Sequence, residues 1–168
     1  GAVGMGGLWL RAETKPHERR TPLLPEHAAQ LVHSGHQVVV ERAATRIIDD
    51  AAYAAAGCRL VAAGSWPDAP ADHFILGLKE LPAEEFPLRH AHIYYAHCYK
   101  DQQHSRQVLR RFVTGGGTLL DCEYLADEHG HALTVNEIGR LSGYVGAAMA
   151  LQFFFQKAMR CALALAQP

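Results

Sequence analysis

Three short segments carry side chains that move protons and hold carboxylates. The first is Arg11-Ala12-Glu13-Thr14-Lys15-Pro16-His17-Glu18-Arg19-Arg20-Thr21-Pro22-Leu23-Leu24-Pro25. Its dense Arg and Lys suit a carboxylate clamp, which Arg makes bidentately. The second is Gly77-Leu78-Lys79-Glu80-Leu81-Pro82. Lys79 closes a strongly apolar run, so its amine is expected to be partly desolvated and suited to proton transfer. The third is Tyr95-Ala96-His97-Cys98-Tyr99-Lys100-Asp101-Gln102. There His97, a natural acid/base near neutral pH, ends another apolar run, and Lys100 biases it toward its neutral form. Taken singly, each has a plainer reading: a solvated basic loop, a strand-end Lys reaching water, a hydrogen-bonded core His. Their recurrence at three strand ends points to one shared crevice.

Other chemistry finds less support. His90 and His92 are two apart, as are His129 and His131, and a strand puts each pair on one face. No spacing supplies a third ligand, so no metal is expected. Gly4-Met5-Gly6-Gly7 precedes the first strand, and Gly115-Gly116-Gly117 lies between a helix and a strand. Neither opens a helix after a strand as a dinucleotide fingerprint must, so no cofactor-binding residue is expected in this chain.

The elements that must position these residues follow from periodicity. Strands are expected at 8–12, 37–41, 59–61, 74–78, 92–96 and 118–121, helices at 25–34, 49–56 and 102–113. Asp49 is expected to cap the second helix through its side chain, and Gly35 and Gly57 to stop the first two. A hairpin turn is expected over 127–131, and one long helix from Leu141 to Leu165. The alternation predicts an α/β fold: an open, mostly parallel sheet with helices on both faces, a Rossmann-like or flavodoxin-like substrate domain, ending in that long helix. The long helix is apolar nearly all round. Either the sheet covers it, or it meets something beyond the domain, with a homodimer as one form of that.

Composition narrows the classes. The chain has 168 residues, of which 49% are apolar and 20% charged, an ordinary globular balance for one domain. With 16 Lys and Arg against 17 Asp and Glu, it lacks the basic field that nucleic acid needs. No apolar run reaches the roughly 20 residues of a membrane span, and Gly1 to Gly7 does not resemble a signal peptide. Cys58, Cys98, Cys122 and Cys161 form no C-x-x-C pair, so a reducing cytoplasm is the expected compartment.

The three charged segments are also familiar. Leu10-Arg11-Ala12-Glu13-Thr14-Lys15-Pro16, Gly77-Leu78-Lys79-Glu80 and Ala96-His97-Cys98-Tyr99-Lys100-Asp101-Gln102 closely resemble the N-terminal domain of the saccharopine dehydrogenase (NAD, lysine-forming) family. That domain belongs to the alanine dehydrogenase/transhydrogenase N-terminal superfamily. Ala63-Gly64-Ser65-Trp66, Asp121-Cys122-Glu123-Tyr124-Leu125 and Gly143-Tyr144-Val145-Gly146-Ala147-Ala148 look like the same family, in the same order along the chain.

The resemblance implies an oxidoreductase that cleaves saccharopine to lysine and 2-oxoglutarate with NAD, a reaction of lysine biosynthesis. It makes Lys79 and His97 the acid/base pair, with Lys79 taking the proton of the secondary amine and His97 serving imine hydration and collapse. It makes Arg20 a substrate-carboxylate arginine and places Lys100, Gln102 and Glu123 in the substrate pocket. Two departures stand out. The family carries an arginine shortly after the residue matched by Glu123, where this chain reads Glu128-His129-Gly130-His131-Ala132-Leu133. One carboxylate clamp is therefore missing or replaced by His131. The family also has a second, NAD-binding Rossmann domain, whereas residues 1–168 read as a single substrate-binding domain. NAD is then held by a missing domain or a second subunit, and the chain alone is expected to be inactive in hydride transfer. Two other readings remain: a stand-alone binding or interaction domain for a 2-oxo acid or amino acid, and imine chemistry without redox.

Overall fold

The computed structural model describes residues 6–96 and 102–121. Its elements are β1 (Gly7–Leu10), α1 (Pro25–His33), β2 (Gln37–Glu41), α2 (Asp50–Ala55), β3 (Arg59–Val61), β4 (His73–Leu76), β5 (Ala91–Tyr94), α3 (Gln102–Gly115) and β6 (Thr118–Asp121). A single 3₁₀ turn covers Trp66–Asp68. The six strands form one sheet in the order β3-β2-β1-β4-β5-β6, and every pairing is parallel. The expected open parallel sheet is thus present, and its strands read as apolar runs because both faces are covered.

The period of two along each strand divides the core. Leu8, Leu10, Val38, Val40, Phe74 and Leu76 pack with Ala28 and Leu31 of α1 and Tyr53 of α2. Trp9, Val39, Ile75 and Tyr94 face the other way and pack with Trp66 and with Val108 and Phe112 of α3. Helices therefore cover both faces, as the alternation predicts. The first two helices end at Gly35 (φ 90) and Gly57 (φ 93), left-handed positions that cost glycine least.

Several boundaries differ from the sequence reading. β1 runs from Gly7 to Leu10 and ends before Arg11, β4 ends at Leu76 instead of Leu78, and β5 ends at Tyr94 instead of Ala96. In β4 the reason is chemical: the Leu78 and Lys79 N–H groups leave the ladder to bond the Glu13 carboxylate. Asp49 occupies the N-cap position of α2 but makes no side-chain cap. Its exposed carboxylate faces water, and Asp50 does the local work, accepting from the Ala43 N–H at 3.1 Å. α3 continues to Gly115, and the left-handed residue is Gly116 (φ 75). The expected hairpin at 127–131 and helix at 141–165 lie outside the described residues. Among the described residues, no helix is long and apolar enough to cross a membrane.

Candidate functional site

The chain leaves β1 toward β2 on one side and reaches β4 on the other, so β1 and β4 flank the point where the strand order reverses. Leu10 and Leu76 pair at their ends. Open α/β sheets bind ligands outside the carboxyl ends of the strands at such a point. Two connections meet here: the segment 11–24 after β1 and the turn Gly77-Leu78-Lys79-Glu80 after β4.

Arg11 is the first residue past β1 and is 2% exposed. Its guanidinium lies 5.3 Å over the Tyr94 ring and 3.6 Å from the Glu13 carboxylate, and Nη2 donates to the Lys79 carbonyl. Burial lowers the Arg11 guanidinium from its usual range, opposed by the charge of Glu13. Glu13 in turn accepts the Lys79 N–H at 2.7 Å and the Leu78 N–H at 3.0 Å. The peptide groups on both sides of the Lys79 Cα are therefore held, one through the N–H of Lys79 and the other through its C=O. Gly77 is required beside it, because a Cβ there would collide with the Arg11 guanidinium.

Behind this turn sits Glu41, the last residue of β2 and fully buried. Oε2 accepts from Trp9 Nε1 at 2.8 Å and from the Trp66 N–H at 2.9 Å. Oε1 accepts from the Ala12 N–H at 2.9 Å and from the Gly64 N–H at 2.8 Å. One carboxylate thus ties β1, the start of segment 11–24 and the Gly64–Trp66 turn together. Buried carboxylates persist where donors replace water in this way.

In front of the turn lies an open groove of about 540 Å³ lined by Lys15, His17, Glu18, Arg20, Lys79 and Glu80. Glu18 is its centre. It accepts from Arg20 Nη2 at 2.7 Å and Nε at 3.0 Å, and it lies 4.0 Å from the Lys79 amine. Arg20 is 64% exposed and Lys79 34%, whereas Glu18 is 6% exposed. Lys79 is therefore only partly desolvated, and it stands in the turn beyond the strand end. Glu80 pairs with Lys15 at 3.8 Å. Two cations flanking one carboxylate, with exposed surface on both, can receive an anionic ligand and offer an amine to it.

The hydrogen bonds from Arg20 hold the Glu18 carboxyl below its ordinary 4.5; desolvation opposes this and the Lys79 charge assists it. A depressed folded value means that this latch contributes fully above the unfolded value and is lost as pH falls through the folded one. The Glu18 side-chain carboxyl carbon, followed by NMR, is expected to titrate with a midpoint below 4.5. In Arg20→Ala the midpoint should rise; an unmoved midpoint would contradict the latch.

Of the residues singled out from sequence, Lys79 and Arg20 meet in this groove. Gln102 is the first residue of α3, which follows β5, and its side chain lies outside the described atoms, as do His97, Lys100 and Glu123 entirely. His90 and His92 do share a face, their rings 6.2 Å apart, but His90 Nε2 is 2.8 Å from the Ala69 carbonyl and His92 is buried beside Trp66 and Phe112. Burial pushes the His92 imidazole well below its usual value. Among the described residues no group of side chains could hold a metal ion. Cys58 is a buried free thiol, pushed up to about 11 by desolvation.

Sequence reasoning missed the three carboxylates that organise the site. Glu13 and Glu18 sat inside a segment read for its cations. Glu41 read only as the end of a β-branched strand. The available signal was a charged residue closing a run, Val38-Val39-Val40, that both faces of the sheet bury.

A parallel α/β sheet with a charged loop cluster at its switch point defines a domain of the doubly wound class. The chain belongs to the alanine dehydrogenase/PNT N-terminal domain family, whose family model matches residues 9–137. It is 49% identical over 151 residues to "Saccharopine dehydrogenase [NAD(+), L-lysine-forming]" of Emericella nidulans, covering 89% of this chain and 40% of that protein. The enzyme of the same name from Neurospora crassa is 50% identical over 145 residues, covering 86% of this chain and 38% of that protein. The chain thus spans about 40% of the length of the curated relatives it matches. A solved L-alanine dehydrogenase matches the fold with a TM-score of 0.59 at 22% identity, over 74% of this chain and 35% of its own. A transhydrogenase from Sinorhizobium meliloti matches with a TM-score of 0.58 at 24% identity, over 71% of this chain and 36% of its own.

Proposed function

We propose that this chain is the substrate-binding, proton-transferring domain of a saccharopine-dehydrogenase-like oxidoreductase acting on the CH–NH group of saccharopine or a related amine/2-oxo acid pair. The observation that carries this reading is the groove in which Lys79 and Arg20 flank the buried Glu18. Saccharopine offers carboxylates and a secondary amine, and this groove offers a guanidinium and an amine to meet them. Lys79 takes the proton of the secondary amine. Arg20 holds a substrate carboxylate through its Nη1 edge, since Glu18 occupies Nε and Nη2. His97 moves the protons of imine hydration and collapse, and Lys100, Gln102 and Glu123 complete the pocket; these roles rest on the family resemblance.

The described residues do not fit NAD. At the switch point a pyrophosphate needs a glycine loop opening a helix. Here the buried Arg11 and the Glu13 carboxylate fill that place, and α1 does not begin until Pro25. This supports a cofactor held by another domain or subunit, with the reaction in the cytoplasm, where dispersed thiols stay reduced.

The test is an assay, with saccharopine and NAD, of the full-length enzyme that the reading calls for: this chain together with its NAD-binding domain or subunit. NADH formation is expected there and not with residues 1–168 alone. Failure of the full-length protein to form NADH from saccharopine would overturn it.

A further inference from the structure

We propose that Glu13 and Arg11 are positioning residues that aim the Lys79 amine into the groove by holding the two peptide groups that flank its Cα. This rests on the reading of Lys79 as the proton acceptor. Glu13, whose side chain is 8% exposed, takes the Leu78 and Lys79 N–H groups on its two oxygens. Arg11 donates to the Lys79 carbonyl and is itself steadied by Glu13 and by the Tyr94 ring. The ion pair does not line the groove, where Lys15, Glu18 and Arg20 do. Its effect on the ligand passes through the backbone of Lys79. Fixing the peptide groups on either side of the Lys79 Cα fixes the Cα–Cβ direction from which its amine reaches a reacting atom, and small misplacements cost much of a rate.

The pair can be broken in two ways. Glu13→Gln keeps the shape but turns an amide NH₂ against one of the two backbone donors. Gly77→Ala leaves both charges and pushes the Arg11 guanidinium off the Lys79 carbonyl. In each variant of the 168-residue chain, acetylation of Lys79 relative to Lys157 is followed by peptide mass spectrometry. The ratio is expected to rise about fivefold as Lys79 loses its fixed place. In the full-length protein, kcat for saccharopine is expected to fall about 100-fold with KM within about threefold. A ratio unchanged in both variants would overturn the positioning role, and so would a changed ratio with unchanged kcat. A wild-type protein without saccharopine turnover would instead overturn the function proposed above, leaving the ratio to decide whether the pair holds Lys79.

Discussion

Replacing Lys79 by methionine is expected to lower kcat for saccharopine by about 10²–10⁴, the usual contribution of a positioned general base. The substitution removes the amine and little else. The grip of Glu13 and Arg11 is on the backbone of residue 79, so the turn keeps its shape. Glu18 keeps its three hydrogen bonds from Arg20, two from the guanidinium and one from the backbone N–H, since Lys79 stands 4.0 Å away and contributes charge only. KM should therefore move much less than kcat, and a small primary amine added to the assay should restore part of the rate. A loss of less than about tenfold would show that Lys79 is not the proton acceptor.

The largest stability effect is expected at Glu41. Glu41→Ala leaves Trp9 Nε1 and the N–H groups of Ala12, Gly64 and Trp66 without acceptors. A buried donor left unsatisfied costs about 1–3 kcal/mol, and water entering the space recovers part of it. A net loss of roughly 5 kcal/mol follows, comparable to the whole stability of many domains. Glu41→Gln, which keeps the shape and loses only part of the acceptor capacity, should cost roughly half as much. Urea unfolding of the three proteins measures both, and a loss below about 1 kcal/mol in Glu41→Ala would contradict its role as a hub.

These two residues show what the sequence makes legible. Lys79 is visible because it ends an apolar run in a family motif, and the parallel sheet is visible because its strands are apolar on both faces. The helix stops at Gly35 and Gly57 are visible because glycine takes a left-handed φ at least cost. Glu41 is not, because its importance lies in four donors drawn from two stretches far from it along the chain, 9–12 and 64–66. The same holds for Glu13, 66 residues from the Lys79 amide it binds. Long-range partners also moved the strand ends: Glu13 ends β4 two residues earlier than its apolar run suggests. In sequence Arg20 reads as a carboxylate clamp, and in the structure Glu18 already takes one side of it.

This domain's groove is proposed to receive carboxylate ligands and to leave NAD to another part of the enzyme. Amide NMR of the 168-residue chain, titrated separately with saccharopine, 2-oxoglutarate and NADH, tests it most directly. The amides of Glu18, Arg20, Lys79 and Glu80 are expected to shift with saccharopine and 2-oxoglutarate, and no amide near Arg11 and Gly77 is expected to shift with NADH. Shifts around Arg11 and Gly77 with NADH, and none in the groove with either carboxylate ligand, would contradict it.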